Sequence, residues 1–154
     1  MSAATNIWDI KTTQVRVERR FEAAPERVFD AWLDPACPGS PWHSPERSLL
    51  TPEVDGLFYC MHLSKDRSLE LPFYGRFIQM ERPRRLQFTW VSQHTRGIES
   101  LVTLEFKAQG SKATQLVLTH ENLPDDEKGR MHEGGWQYYM GLMDKAMQGH
   151  TQGA

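Results

Sequence analysis

Residues 132–147 read HEGGWQYYMGLMDKAM, and the reading of this stretch decides the fold. Trp136, Tyr139 with Met140, Met143, and Ala146 with Met147 recur at intervals of three and four, which stacks side chains on one helix face. Gln137, Asp144 and Lys145 fall off that stripe, and no strand alternation fits the window as well. The glycines at 134, 135 and 141 oppose the assignment, because glycine costs a helix interior roughly 1 kcal/mol relative to alanine. A helix that keeps them is expected to gain a close backbone approach to a neighbouring layer. Just upstream, Leu123-Pro124-Asp125-Asp126-Glu127 supplies proline for a helix start and three carboxylates for the positive end of its dipole. The sequence therefore predicts one helix from there to about Gln148, followed by a frayed GHTQGA tail over 149–154.

What precedes this helix is a run of strands. Thr13 to Phe21 alternates, with Val15, Val17 and Phe21 on one side and Gln14, Arg16, Glu18 and Arg20 on the other. In AAPERVFDAWLDP, Pro25 suits a first helical position, Val28, Phe29, Trp32 and Leu33 form an apolar stripe, and Asp34-Pro35 stops the helix. The segment ACPGSPWHSPER, with three prolines and a glycine, reads as a connection that carries a large aromatic residue, Trp42. Strands are then expected at 49–54, 57–64, 68–81, 86–93, 98–108 and 113–121. Turns are expected at Asp55-Gly56, Lys65-Asp66, the RPRR of 82–85, and Gly110-Ser111. Such short connections favour antiparallel pairing, giving a six-strand meander with the first strand as a seventh member. A sheet of that length curls, and the terminal helix is the element long enough to cover its apolar face.

Composition narrows the class. A chain of 154 residues suits one domain burying roughly 70% of its unfolded surface. We read residues 1–12 as a tail and 13–148 as that domain. Eighteen basic and twenty acidic residues leave a formal charge of −2, too little excess to draw in a nucleic acid. The N-terminus lacks the regions of a secretory signal, and no window approaches a membrane span, so the chain reads as soluble and cytoplasmic. Cys37 and Cys60 lack metal or redox spacing and read as free thiols. The six histidines form no HExxH or paired motif, so no metal and no cofactor is assigned. A homodimer is compatible with the sequence.

Several blocks together carry a family resemblance: VERRFEAAPERVFDAWLDP, WHSP at 42–45, YGRFIQMERPRRLQFTW, SLVTLEFKAQGSKATQLVLTHENLP and the closing HEGGW. Taken in order over about residues 13–147, they resemble the activator-of-Hsp90-ATPase homologue group of the START-like, helix-grip superfamily. The resemblance implies an α+β fold in which a curved seven-stranded antiparallel sheet wraps around a long C-terminal helix. It also implies two short N-terminal helices and an internal cavity between helix and sheet. In that arrangement Gly134 and Gly135 would let one helical turn sit close to the sheet, with Trp136, Met140 and Met143 facing the open interior. The chain departs from the pattern at His43, where many members carry a second tryptophan.

The candidate ligand-binding residues are Trp42, His43, Tyr59, Met61, Tyr74, Trp90, His120, Trp136, Met140 and Met143. His120 shares the phase of Leu116 and Leu118, which puts a histidine on an otherwise apolar face. It is either a core histidine satisfied by a hydroxyl or carbonyl, or a group that contacts a ligand. His43, beside Trp42, is a solvated loop residue or a group at the cavity entrance. Tyr59, Tyr74 and Trp90 stand on strands expected to line the interior, although Phe73 and Phe77 compete with Tyr74 for the inward phase. The methionines are adaptable core filler or a tolerant ligand wall. No acid–base pair, nucleophile elbow or phosphate loop is present, so no catalytic residue is assigned.

Three functions follow. The first is binding of a hydrophobic or aromatic small molecule between helix and sheet without catalysis. The second, which the resemblance implies, is a chaperone co-regulator of the Hsp90 type. The third is a cyclase-like or hydratase-like enzyme with His120 or His43 as base and a tyrosine hydroxyl polarising a carbonyl.

Overall fold

Alternation sets the first strand: β1 (Thr12–Phe21) buries Val15, Val17 and Phe21 and exposes Arg16, Glu18 and Arg20. The computed structural model describes residues 10–43, 47–64 and 66–152. Most of the expected N-terminal tail, Ser44 and Pro45 of the WHSP motif, and Lys65 of the expected Lys65-Asp66 turn lie outside the described residues. After β1 come α1 (Pro25–Trp32), β2 (Arg47–Leu50), β3 (Leu57–Leu63), β4 (Glu70–Glu81), β5 (Arg85–Ser92), β6 (Ser100–Ala108), β7 (Thr114–Pro124), α2 (Glu127–Arg130) and α3 (His132–Gln152). The strands form one antiparallel sheet in the order β1-β7-β6-β5-β4-β3-β2, so the meander closes when β7 returns to pair with β1. This is the curved α+β helix-grip fold, with the long helix across its concave face.

One short N-terminal helix is present among the described residues, where two were expected. Pro25 opens α1 and Val28, Phe29 and Trp32 bury its inner face. The chain from Asp34 to His43 then runs through successive turns, in which the backbone N–H groups of Cys37, Ser40 and His43 donate to the carbonyls three residues earlier. Pro35, Pro38 and Pro41 recur within this stretch, and each removes a backbone donor and blocks the preceding helical turn. A second helix cannot propagate through them.

The C-terminal helix starts differently from the expectation. A break at Met131 separates α2 from α3, and α3 runs to Gln152, beyond the expected end at Gln148. Asp126 caps α2 by accepting the Gly129 N–H at 2.8 Å. The role given to Gly134 and Gly135 is corrected, since a Cβ at either would meet nothing within 4 Å. Both are exposed, on a turn whose next residue, Trp136, packs against Trp90 of the sheet. The close approaches fall elsewhere: a Cβ at Gly129 would overlap the Pro124 carbonyl, and one at Gly39 would overlap the Met143 nitrogen and the Tyr139 carbonyl. Gly39 also has φ +94°, a conformation natural to glycine, so it lays the proline-rich loop directly onto α3. On the other flank, Arg19 Nε of β1 donates to Asp144 Oδ2 of α3 at 3.0 Å.

Candidate functional site

The proline-rich loop determines how much of the interior remains open. Ser40 Oγ donates to the Trp32 carbonyl at 2.7 Å, fixing the turn that delivers Trp42 inward. Trp42 is fully buried and packs on Phe58, Phe77 and Phe88, with ring centroids 5.2 to 5.6 Å apart. Its indole N–H has no hydrogen-bond partner among the described residues. Trp42 thus fills the central part of the interior. Met140 and Met143, also fully buried, close the same core from the helix side.

At the other end a cleft of about 230 Å³ remains, where β3, β4 and β5 meet α2 and the first turns of α3. Its walls are apolar: Leu71, Pro72 and Phe73 of β4, Trp90 of β5, Met131, and Trp136 of α3. Phe73 stacks on Trp90 with centroids 4.0 Å apart, and Trp90 meets Trp136 edge-on at 5.0 Å, so the rings hold one another in place. His62, Tyr139, Ser92, Gln93, His94, Lys128 and His132 supply the polar positions of the lining. A larger surface groove between α1 and the C-terminal half of α3 is lined by Glu26, Asp30 and Asp34 and has no aromatic wall.

Two histidine networks brace the cleft. Behind it, the Trp136 indole N–H donates to His120 Nδ1 at 3.0 Å, and Ser100 Oγ, 2.7 Å from His120 Nε2, donates to the Trp90 carbonyl at 2.6 Å. Since Nδ1 accepts, Nε2 carries the proton and donates to Ser100, leaving the imidazole neutral with both nitrogens in use. Burial pushes the His120 pKa well below its ordinary value, and nearby His132 adds to the shift. His120 is therefore a core histidine that ties α3 to β5 and β6. In the wall, His62 Nε2 lies 3.0 Å from the Pro41 carbonyl and Nδ1 lies 2.7 Å from the Tyr139 hydroxyl. The carbonyl can only accept, so Nε2 donates there and Tyr139 donates to Nδ1. Burial lowers the His62 pKa and raises that of Tyr139.

The rim is basic. His132 Nδ1 donates to the Gly129 carbonyl at 2.9 Å, which leaves Nε2 as its accepting nitrogen. Burial lowers the pKa of His132 and of His94, with a smaller downward push on His132 from His94 and on His94 from Lys128.

The expected site residues thus divide. Trp90 and Trp136 line the cleft and His120 stands directly behind it. Trp42, Met140 and Met143 belong to the filled core. Tyr74 is 53% exposed and pairs in register with Tyr59, so both sit on the outer face of the sheet, which corrects their assignment to the interior. The reason is register: Phe73 and Phe77 take the inward positions. Met61 is buried but shares Tyr59's side of β3, opposite Phe58, Cys60 and His62. His43 is exposed, with Nδ1 2.7 Å from the Pro35 carbonyl, and does not line the cleft. The residues missed were His62, His94, Lys128, His132 and Tyr139. The phase of Phe58 and Cys60 extends to His62, and the interval 132, 136, 139 is helical, so the signal for three of them was available.

The pattern of the family described as Activator of Hsp90 ATPase homolog 1-like protein matches residues 22–148, and the chain belongs to that family. Protein CV1439 from Chromobacterium violaceum is 22% identical, with TM-score 0.68 over 86% of this chain and 96% of that one. Mll3558 from Rhizobium loti is 17% identical, with TM-score 0.72 over 90% of this chain and 99% of that one. An Hsp90 activator from Plasmodium falciparum is 22% identical, with TM-score 0.57 over 75% of this chain and 76% of that one. These likenesses concern the fold. No curated protein matches the sequence. No helix among the described residues is long and apolar enough to cross a membrane.

Proposed function

We propose that the chain binds a small aromatic or hydrophobic molecule in the cleft between the first turns of α3 and the ends of β3, β4 and β5, with no catalysis required. The observation that carries this reading is an apolar space walled by Phe73, Trp90 and Trp136 whose rings already brace one another. Its size sets the guest. At about 230 Å³ it exceeds the roughly 150 Å³ that admits benzene and falls below the roughly 300 Å³ at which drug-sized sites begin. One or two fused rings fit. Burying roughly 200 Å² of such a guest at about 25 cal/mol/Å² offers on the order of 5 kcal/mol before association costs, so affinity is weak unless polar contacts add to it. A thermal-shift screen of one-ring and two-ring aromatics tests the reading. Concentration-dependent rises in midpoint are expected, and failure of every compound contradicts it.

A second reading is favoured by the family's description and by the named Plasmodium activator: a co-regulator of an Hsp90-type chaperone. Retention of purified Hsp90 on the immobilised chain, with altered ATP turnover, would support it over the first. Absence of both would leave small-molecule binding as the working function.

A further inference from the structure

Resting on the cleft as the binding site, we propose that its guest is an aromatic acid, held with its rings against the wall that Trp90 and Trp136 form together and its anionic group at the rim toward Lys128, His94 and His132. The charge distribution of this end points to that chemistry. Among the described residues, the cleft's lining holds three histidines and a lysine and no carboxylate. The acidic groups nearby are engaged or lie off the lining: Asp125 bonds Arg130 at 2.7 Å, while Asp126 accepts the Gly129 N–H and lies 3.8 Å from Arg96. Glu70, Glu127 and Glu133 are exposed and do not line the space. Lys128 has no carboxylate partner among the described residues, and neither ring nitrogen of His94 is hydrogen-bonded there.

The three basic groups also act on one another. Lys128 disfavours the charged form of His94, His94 that of His132, and His132 that of His120, while Asp126 gives the charged form of His132 a smaller push the other way. An anion at the rim would oppose each of these repulsions and favour protonation of His94 and His132. His62 is held between Pro41 and Tyr139, and His120 between Ser100 and Trp136, so neither is free to follow. Binding an acid should therefore take up a proton, and its affinity should rise as pH falls through the histidine range.

The test compares naphthoate with naphthylmethanol, which share the ring system and differ in charge, by calorimetric titration of the full chain at about pH 6 and about pH 8, where the carboxylate stays ionised. The acid is expected to bind roughly fivefold to tenfold more tightly near pH 6, with the preference shrinking near pH 8 and in high salt. In Lys128→Gln and in His94→Gln the ratio of the two affinities should fall toward one. Equal affinities in the unaltered chain at both pH values would overturn the acid preference while leaving the cleft as an aromatic site. Binding of neither compound would overturn the cleft reading as well.

Discussion

The two ends of the grip interior are built from the same kinds of residue and reach opposite outcomes. Around Trp42, Phe58, Phe77 and Phe88 the space is filled. Around Trp90, Phe73 and Trp136 it is open by about 230 Å³. The difference lies in what each end receives from outside the sheet. The filled end is entered by a loop that Gly39 presses onto α3 and that inserts an indole. At the open end the first turn of α3 presents Gly135, which lines the cleft and adds no side chain to it. Aromatic content alone does not make a binding site; the presence or absence of a plug does.

Removing the plug should have the largest effect. Trp42→Ala is expected to cost about 3–5 kcal/mol of stability in chemical denaturation, as for other buried large-to-small changes, by opening a second void beside the first. A loss under 1 kcal/mol would mean that the loop does not hold the interior closed.

A change in pH probes the brace rather than the plug. Burial keeps His120 neutral well below its ordinary pKa of 6.5, whereas in the unfolded chain it takes up a proton near that value. The unfolded state then binds more protons, so this stabilising contribution is complete above about pH 6.5 and declines as pH falls below it, by up to about 1.4 kcal/mol per pH unit. His62 and His132 are shifted in the same direction and steepen the decline. His120→Gln keeps an acceptor for the Trp136 indole and should flatten the slope by about one proton, measured from denaturation midpoints between about pH 5 and pH 7. An unchanged slope would show that His120 does not carry it.

The smallest effects sharpen the comparison most finely. Gly134→Ala and Gly135→Ala each meet open space, so each should raise stability by about 0.5–1 kcal/mol through helix propensity. Gly135 lines the cleft and Gly134 does not, so only Gly135→Ala should also weaken the binding of naphthylmethanol. Equal effects of the two on binding would place the guest elsewhere.

Much of this architecture was legible in the sequence because it follows from local periodicity. Val15, Val17 and Phe21 fixed β1 by alternation, and Trp136, Met140 and Met143 marked the buried stripe of α3. What local pattern could not carry was contact between segments distant in the chain. Phase alone leaves Phe73 and Tyr74 equivalent, and pairing with β3 and β5 decides which points inward. Nothing local separates a glycine packed on a neighbouring layer from Gly134 and Gly135, where an added Cβ would meet open space. Of the site, Trp90 and Trp136 were legible as apolar positions. His62 and Tyr139 were legible in phase but not as partners, because their contact spans 77 residues and depends on Pro41 arriving from the loop.

The central claim is that a guest enters at the open end and leaves the plugged end untouched. Indole N–H resonances in a heteronuclear NMR titration with naphthylmethanol report on both ends at once. The account predicts saturable shifts at Trp90 and Trp136 with Trp42 unmoved. Shifts at Trp42 alone, or none at Trp136 with guest bound, would contradict it.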